Sequence, residues 1–210
     1  HFSGWGLDWI NIGLTYLPYL HRFYAPADAR AAFVAVRDLA AHYGGHIIGI
    51  PRDDLPILAA QDGSQPLWNV DSPWDNVTAF RRFDGADKAI LAFGAPAFVA
   101  AEAAQSLSSS GTAVDVHIVN ALPLRPGELE SLLAHYTGGI VTIEDGFVGT
   151  PETGVRGFAG YVASVASGIG LPVEHIGITD PRTAPADGHM ETWAHFGITS
   201  DALVRAVEQL

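Results

Sequence analysis

Apolar runs of strand length alternate with helix-type patterns over the C-terminal two thirds of the chain. These patterns predict strands over 77–83, 88–93, 113–119, 139–144 and 173–178, and helices over 96–107, 126–136, 155–166 and 200–210. Such alternation predicts a mostly parallel sheet with helices on both faces, so the expected fold class is three-layer α/β/α. The Asp84-Gly85 turn is too short for a parallel crossover and predicts a hairpin that adds one antiparallel edge strand.

The first 57 residues carry a shorter pattern of the same α/β kind. It predicts a short helix over 9–17, a strand over 21–25, a helix over 27–42 and a strand of the buried parallel type over 46–50. Pro26 and Asp28 favour the start of the longer helix, because proline fits the first turn and a carboxylate suits the positive helix end. The apolar residues of this helix recur at helical spacing: Phe33, Val34, Val36, Leu39 and Ala40.

The composition changes between residues 58 and 75. This stretch is rich in Gln, Asp, Gly, Ser, Pro and Asn, with Trp68 and Trp74 as isolated aromatic anchors. Such a composition is typical of an interdomain linker. We therefore predict part of one domain over 1–57, a linker over 58–76 and a second domain over 77–210.

The overall composition excludes several classes of function. A formal charge of −12 disfavours non-specific binding to nucleic acid or to an acidic membrane, since both need concentrated Lys and Arg. The chain contains no cysteine, which excludes disulfides, thiolate metal sites and a cysteine nucleophile. The longest apolar stretch, 89–101, is shorter than the roughly 20 residues that a membrane span needs. We expect a cytoplasmic protein.

Arg52 is the first candidate for a binding residue. It follows the apolar run 47–50 and opens the turn R-D-D-L-P over 52–56. A guanidinium at the end of a strand suits an anionic ligand, because open α/β sheets bind ligands at the carboxyl ends of their strands. The competing interpretation is a surface ion pair with Asp53 or Asp54, worth about 0–1 kcal/mol.

Two further sets of polar residues were weighed for catalysis or metal binding. Glu144-Asp145 follows a predicted strand and could form a paired-carboxylate acid–base site, but we favour a role in ordering a loop or an interface. His189 and His195 are spaced unlike any metal-binding motif, so we expect ordinary hydrogen-bonded histidines.

The order of motifs resembles the transketolase-like family of thiamine diphosphate-dependent enzymes. Pro26-Ala27-Asp28, a helix and a strand ending in R-x-x-L-P resemble the end of the pyrimidine-binding domain of that family. The region from about residue 77 onward is similar to the C-terminal domain of transketolases, deoxyxylulose-phosphate synthases and the β subunits of 2-oxoacid dehydrogenases. The matching segments are Asp84-Gly85 with 89–94, 116–120 with 124–128, 140–145 with the glycines at 146, 149 and 154, Thr179-Asp180, Gly188-His189 and 196–199.

The resemblance implies an activity and roles for three residues. It implies a transferase that moves a two-carbon ketol unit between sugar-type, phosphorylated substrates. Arg52 occupies the place of the family arginine that pairs with the sugar phosphate. His1 and Asp8 are the available counterparts of the residues that handle substrate hydroxyls and protons, although the spacing from both to Pro26 differs from the family pattern. The competing interpretations are a mobile terminal residue for His1 and a helix cap for Asp8.

The same resemblance implies a cofactor and a partner. The family binds thiamine diphosphate with Mg²⁺ or Ca²⁺ through a G-D-G motif followed by an Asn, and this arrangement does not occur in the sequence. We therefore expect residues outside these 210 to hold the cofactor, in an N-terminal pyrophosphate-binding chain or domain. We also expect the chain to start within a domain, residues 1–57 to be covered by a partner, and such units to form a dimer.

Three other functions are open at this point. A 2-oxoacid dehydrogenase β-type component and a deoxyxylulose-phosphate-synthase-like component share the fold and the cofactor. A non-catalytic assembly or regulatory subunit would keep the fold without the site.

Overall fold

A computed structural model describes residues 9–14, 20–51 and 54–210 of the chain. The helices are α1 (Trp9–Leu14), α2 (Ala29–Ala40), α3 (Ala97–Ser109), α4 (Glu128–Leu133), α5 (Gly157–Ile169), α6 (His189–Phe196) and α7 (Ser200–Gln209). The strands are β1 (Leu20–Tyr24), β2 (Gly45–Ile48), β3 (Val77–Arg81), β4 (Lys88–Phe93), β5 (Val114–Val119), β6 (Ala121–Leu122), β7 (Gly139–Phe147) and β8 (Val173–Ile178). No described helix has the length and apolarity that crossing a membrane requires.

The larger sheet has five strands in the order β3-β5-β4-β7-β8. Strands β5, β4, β7 and β8 are parallel, and β3 is antiparallel at the edge. This confirms the predicted mostly parallel sheet with one antiparallel edge strand. The predicted hairpin is wrong, because β3 pairs with β5 and both edges of β4 are occupied by β5 and β7. The amide of Phe83 donates to Asp115 Oδ1 at 2.8 Å, so the chain leaving β3 is attached to β5 before it turns.

Helices cover both faces of this sheet, as predicted. Side chains of a strand point alternately to opposite faces. On β4, Ile90 and Ala92 pack in the buried cluster that includes residues of α3 and α7. Ala89, Leu91 and Phe93 pack in the other cluster, with residues of α4 and α5. The four apolar parallel strands thus lie between two helical layers.

The smaller sheet has three strands in the order β2-β1-β6. Strand β6 was not predicted, and it is antiparallel to β1 with Phe23 opposite Leu122. The amide of Ala25 also donates to the carbonyl of Asn120 at 2.8 Å. Residues after β5 therefore supply an edge strand to the sheet of the first segment, and this edge is covered from within the chain.

Strand β2 differs from its prediction as a buried strand. It runs over Gly45–Ile48, parallel to β1, and its residues are only partly buried or exposed. It lies at the edge of the smaller sheet, so β1 covers it on one side only. An apolar run alone does not distinguish a central strand from an edge strand.

Helix α2 buries a different set of residues from the one that its sequence pattern favoured. The buried side chains are Ala31, Val34 and Ala35. Phe33 and Val36 are 53% and 50% exposed. The buried face of α2 therefore consists of small side chains, which allow the helix to pack closely against its neighbours. The buried cluster on this side also contains Trp68 of the predicted linker, while Trp74 contacts Tyr24 with ring centroids 5.1 Å apart.

Several boundaries shift and one helix was missed. Helix α4 is shorter than the predicted 126–136, whereas β7 continues past Glu144 to Phe147. Helix α6, over His189–Phe196, was not predicted. The division of the chain at 58–76 stays a prediction.

Candidate functional site

A pocket lies where the first parallel strands end. Strands β1 and β2 are parallel, so their carboxyl ends lie at the same edge of the smaller sheet, next to the start of α2. The pocket has a volume of about 180 Å³. Its lining residues are Pro26, Asp28, Ala29, Ala32, Ile50, Pro51, Asp54 and Leu55. This is the edge at which open α/β sheets bind ligands.

The three residues predicted from the sequence for this site lie outside the described part of the chain. These are Arg52, His1 and Asp8. Arg52 directly follows Pro51 in the sequence, and Pro51 lines the pocket. The roles of all three residues stay predictions.

Asp28 fixes the geometry of the pocket. Its side chain is buried and accepts two backbone hydrogen bonds: Oδ1 from the amide of Ala31 at 2.7 Å and Oδ2 from the amide of Leu58 at 2.8 Å. The first bond caps α2, and the second attaches the chain that leaves the pocket. Sequence analysis predicted only the helix start, because no local pattern identifies Leu58 as a partner. Asp28 therefore positions the pocket wall, and neither of its carboxylate oxygens is without a donor.

The lining is apolar apart from two carboxylates. Asp28 and Asp54 are the charged residues among the lining side chains that the structure describes, and none of these carries a positive charge. An anionic ligand would therefore need a cation from Arg52 or from another chain.

A second, wider depression is less suited to an anion. It has a volume of about 330 Å³ and is lined by Phe147, Thr150, Thr153, Thr179, Asp180, Pro181 and Arg182. The guanidinium of Arg182 is already paired with Asp180 through contacts of 2.8 and 2.7 Å. These hydrogen bonds from Arg182 lower the pKa of Asp180 to about 2. The cation at this depression thus has an internal partner.

The carboxylates of Glu144 and Asp145 have separate contacts. Glu144 is fully buried, and its oxygens accept from the amides of Phe158 at 3.1 Å and Ala159 at 2.7 Å, at the start of α5. Asp145 pairs with His189 at 3.3 Å. A carboxylate at a helix N-terminus is favoured by the amides and the helix dipole. These contacts support the predicted ordering role over a paired acid–base site.

Helix α1 contacts the start of α5. The amide of Gly157 donates to Asn11 Oδ1 at 2.9 Å, and Ile10 is buried. A Cβ atom at Gly157 would lie 2.7 Å from Glu144 Oε2. The start of α5 therefore needs a glycine, and it joins the N-terminal segment to the larger sheet.

Comparison with solved structures shows which known proteins share this fold. The chain is similar over 93% of its length to a split-gene transketolase described as an inactive β4 tetramer, with 26% sequence identity and a TM-score of 0.74. It is also similar to transketolase from Leishmania mexicana, with 16% identity over 95% of this chain and a TM-score of 0.65. The chain carries a transketolase-like C-terminal domain. This confirms the resemblance stated above.

The similarity to transketolases covers most of this chain but only part of each transketolase chain. Transketolase from Pichia stipitis in complex with sedoheptulose 7-phosphate matches over 95% of this chain, with 15% identity and a TM-score of 0.62. The transketolase-like chain spans 59% of the split-gene transketolase chain, 26% of the Leishmania chain and 28% of the Pichia chain. No protein-family model matches the sequence, and the search of curated proteins found no match.

The described residues of this transketolase-like chain do not fit the expected thiamine diphosphate and its cation. Mg²⁺ and Ca²⁺ prefer oxygen ligands. Among the described residues, the one group of three or more His, Cys, Asp or Glu side chains that could hold a metal ion is His21, Asp38 and His42, which offers two imidazoles and one carboxylate. The sequence also lacks the G-D-G motif. The pyrophosphate and its cation therefore have no evident site in the described part of the chain.

Proposed function

We propose that this chain is the C-terminal component of a thiamine diphosphate-dependent, transketolase-type enzyme. The enzyme transfers a two-carbon ketol unit between phosphorylated, sugar-type substrates. The observation that carries the proposal is the likeness over 93% of this chain to a split-gene transketolase, of whose chain it spans 59%. A transketolase bound to sedoheptulose 7-phosphate is a further structural neighbour, which favours a sugar phosphate as substrate class.

Arg52 binds the phosphate end of the substrate. In the sequence it lies between Pro51 and Asp54, and both of these residues line the pocket. A guanidinium presents several N–H donors in a planar fork and binds phosphate oxygens in pairs. The described lining contributes no other cation, so Arg52 would neutralise the ligand. Asp28 acts as a positioning residue.

His1 and Asp8 handle the hydroxyl groups and the protons of the sugar. This assignment depends on the resemblance of the sequence to the transketolase-like family.

A partner chain or domain holds the cofactor. Thiamine diphosphate, with Mg²⁺ or Ca²⁺, supplies the carbon–carbon bond chemistry when it is bound. The described residues hold no cluster of three carboxylates for the cation, and the sequence lacks the G-D-G motif. The partner is an N-terminal pyrophosphate-binding chain or domain, and such units pair as a dimer.

Reconstitution tests this proposal. The 210-residue chain is purified alone and together with a thiamine diphosphate-binding N-terminal chain from the same genome, and consumption of a ketose phosphate is followed with and without the cofactor. We expect cofactor-dependent consumption of the ketose phosphate by the mixture of the two chains, and none by either chain alone. Ketol transfer by the N-terminal chain that is equal with and without this chain would favour a non-catalytic assembly subunit. Turnover of pyruvate in place of the ketose phosphate would favour the 2-oxoacid or synthase type.

A further inference from the structure

Three histidines and one aspartate meet at the opposite end of the smaller sheet from the pocket. His21 lies in β1, Asp38 lies in the last turn of α2, His42 follows that helix, and His46 lies in β2. We call these four residues the histidine cluster. His21, Asp38 and His42 each offer one potential ligand atom, and these three atoms lie within 4.8 Å of one another. The ring of His46 packs edge-on against His21, with centroids 5.3 Å apart.

Hydrogen bonds define the protonated nitrogens of two of these rings. His42 Nδ1 lies 2.8 Å from the carbonyl oxygen of Asp38, and His46 Nε2 lies 3.1 Å from the carbonyl oxygen of His42. A carbonyl can only accept, so each of these nitrogens carries a proton. The other nitrogen of each neutral ring then holds a lone pair. For His46, whose ring does not need to move, this is the kind of second contact that histidines bound to metals typically make.

Two nitrogens of the histidine cluster lack a hydrogen-bonding partner. His21 Nε2 and His46 Nδ1 are buried and form no hydrogen bond with any described residue. Buried polar atoms without a partner are rare in folded proteins, and a bound ion is one of the explanations for them.

The carboxylate of Asp38 is held with one oxygen facing the histidines. Its Oδ2 accepts from the hydroxyl of Tyr24 at 2.8 Å and from Nη1 of Arg22 at 3.0 Å. Its Oδ1 lies on the side of His42, 3.7 Å from Nδ1. One carboxylate oxygen is thus held by neighbouring side chains, and the other faces the histidines. The carboxyl end of α2 lies here as well, and a helix end of this kind favours a cation.

We propose that His21, His42 and Asp38 bind Zn²⁺, with His46 beside them as a further imidazole donor. Imidazole and carboxylate ligands suit Zn²⁺, whereas Mg²⁺ and Ca²⁺ prefer sites built from oxygen atoms. The ion is therefore distinct from the cation of the cofactor. It joins the start of β1, the end of α2 and the start of β2, so its role is to stabilise the smaller sheet.

Binding requires one side chain to move. The rings of His21 and His42 are stacked, with centroids 4.5 Å apart and an interplanar angle of 15°. Two parallel, stacked rings cannot both direct lone pairs at one ion. The side chain of His42 is 40% exposed and follows the helix end, so it is the ring that turns when Zn²⁺ binds.

Zinc binding to the chain alone tests this proposal independently of the enzymatic activity. The tag-free chain is stripped of metal with a chelator and titrated with Zn²⁺ by calorimetry, with and without excess Mg²⁺. We expect His42→Ala to lose one equivalent of Zn²⁺ or to bind it at least about tenfold more weakly. Zn²⁺ should also raise the melting temperature of the original chain more than that of His42→Ala. Excess Mg²⁺ should leave the isotherm unchanged.

His135→Ala is the matched control. His135 is exposed, and its Nδ1 makes the same kind of contact, 2.7 Å from the carbonyl of Ser131, outside the histidine cluster. Zn²⁺ bound elsewhere on the chain is common to both variants, so the difference between them measures this site. A Zn²⁺ isotherm of His42→Ala that coincides with that of His135→Ala would overturn the proposal, as would displacement of the bound Zn²⁺ by Mg²⁺. Because His42 is largely solvent-facing, its variant should fold.

Discussion

The backbone amide of Leu58 donates a hydrogen bond of 2.8 Å to Oδ2 of Asp28, a residue that lines a pocket at the start of α2. The same carboxylate caps the helix through the amide of Ala31. One buried side chain therefore fixes both the helix that begins at the pocket and the chain that leaves it. This places the geometry of the candidate site under the control of a residue that does not need to contact the ligand.

Replacing Asp28 should destabilise the protein. Asp28→Ala removes a helix cap and a second charge-assisted hydrogen bond from a buried position, with an expected loss of about 2–4 kcal/mol in the free energy of unfolding. Urea denaturation measures this loss. Asp180→Ala is the control, since Asp180 caps the short 3-10 helix Pro181–Thr183 at an open site and should matter less. Equal losses in the two variants would contradict the role of Asp28 described here.

Gly94 should tolerate no side chain. Its φ is +66°, and an added Cβ would lie 2.7 Å from the carbonyl oxygen of Ala25. Gly94→Ala therefore combines an unfavourable backbone angle with a clash against backbone, for an expected loss of about 2–4 kcal/mol in the free energy of unfolding. Gly85→Ala separates the two effects, because Gly85 has a φ of +78° and open space around it. Denaturation should rank Gly94→Ala as clearly less stable than Gly85→Ala.

The free energy of unfolding should fall as the pH drops from about 6.5 to about 4. Burial, with a smaller contribution from Arg82, lowers the pKa of His117 from 6.5 to about 4. In this interval the unfolded state binds a proton that the folded state does not, so acidification favours unfolding. The loss should approach about 3 kcal/mol at the acid end.

A histidine variant isolates this contribution. His117 Nε2 lies 2.6 Å from the hydroxyl of Tyr136, which donates to Asp115 Oδ2 at 2.9 Å. His117→Gln keeps a polar group at this position and removes the titration, so unfolding curves between pH 4 and 6.5 should show a smaller slope. His195→Gln, at an exposed site away from His117, should retain the original slope. An unchanged slope in His117→Gln would show that other groups control the acid response.

Arg52→Ala should weaken the use of phosphorylated substrates by the reconstituted enzyme. Loss of a charge-assisted contact of about 1.5–3 kcal/mol corresponds to an increase in KM of roughly 10- to 150-fold for a ketose phosphate. The KM of a non-phosphorylated ketose should change little, because it lacks the group that Arg52 binds. Arg205→Ala, on the exposed side of α7, is the control for loss of positive charge. Unchanged KM values in Arg52→Ala would remove Arg52 from the substrate site.

Most of the larger sheet could be predicted from short stretches of sequence. Strands β4, β5 and β7 are mostly apolar runs between helix patterns, and each lies at or near its predicted position, as does the more polar edge strand β8. The reason is that a strand buried on both faces must be apolar along its length, which is a local property. The start of α2 at Asp28 could also be predicted, because helix capping depends on adjacent residues and is a local property too.

Pairing partners and sites could not be predicted in this way. The sequence alone established an α/β chain, the approximate strands and helices, and the candidate Arg52 turn. The tertiary structure decided that β3 pairs with β5, that β6 completes the smaller sheet, and that His21 meets Asp38 and His42. The spacing of Asp38 and His42 on one helix end was the only local signal of that cluster. Strand order and the convergence of side chains depend on contacts between distant residues, whose free energies exist only after the chain has folded.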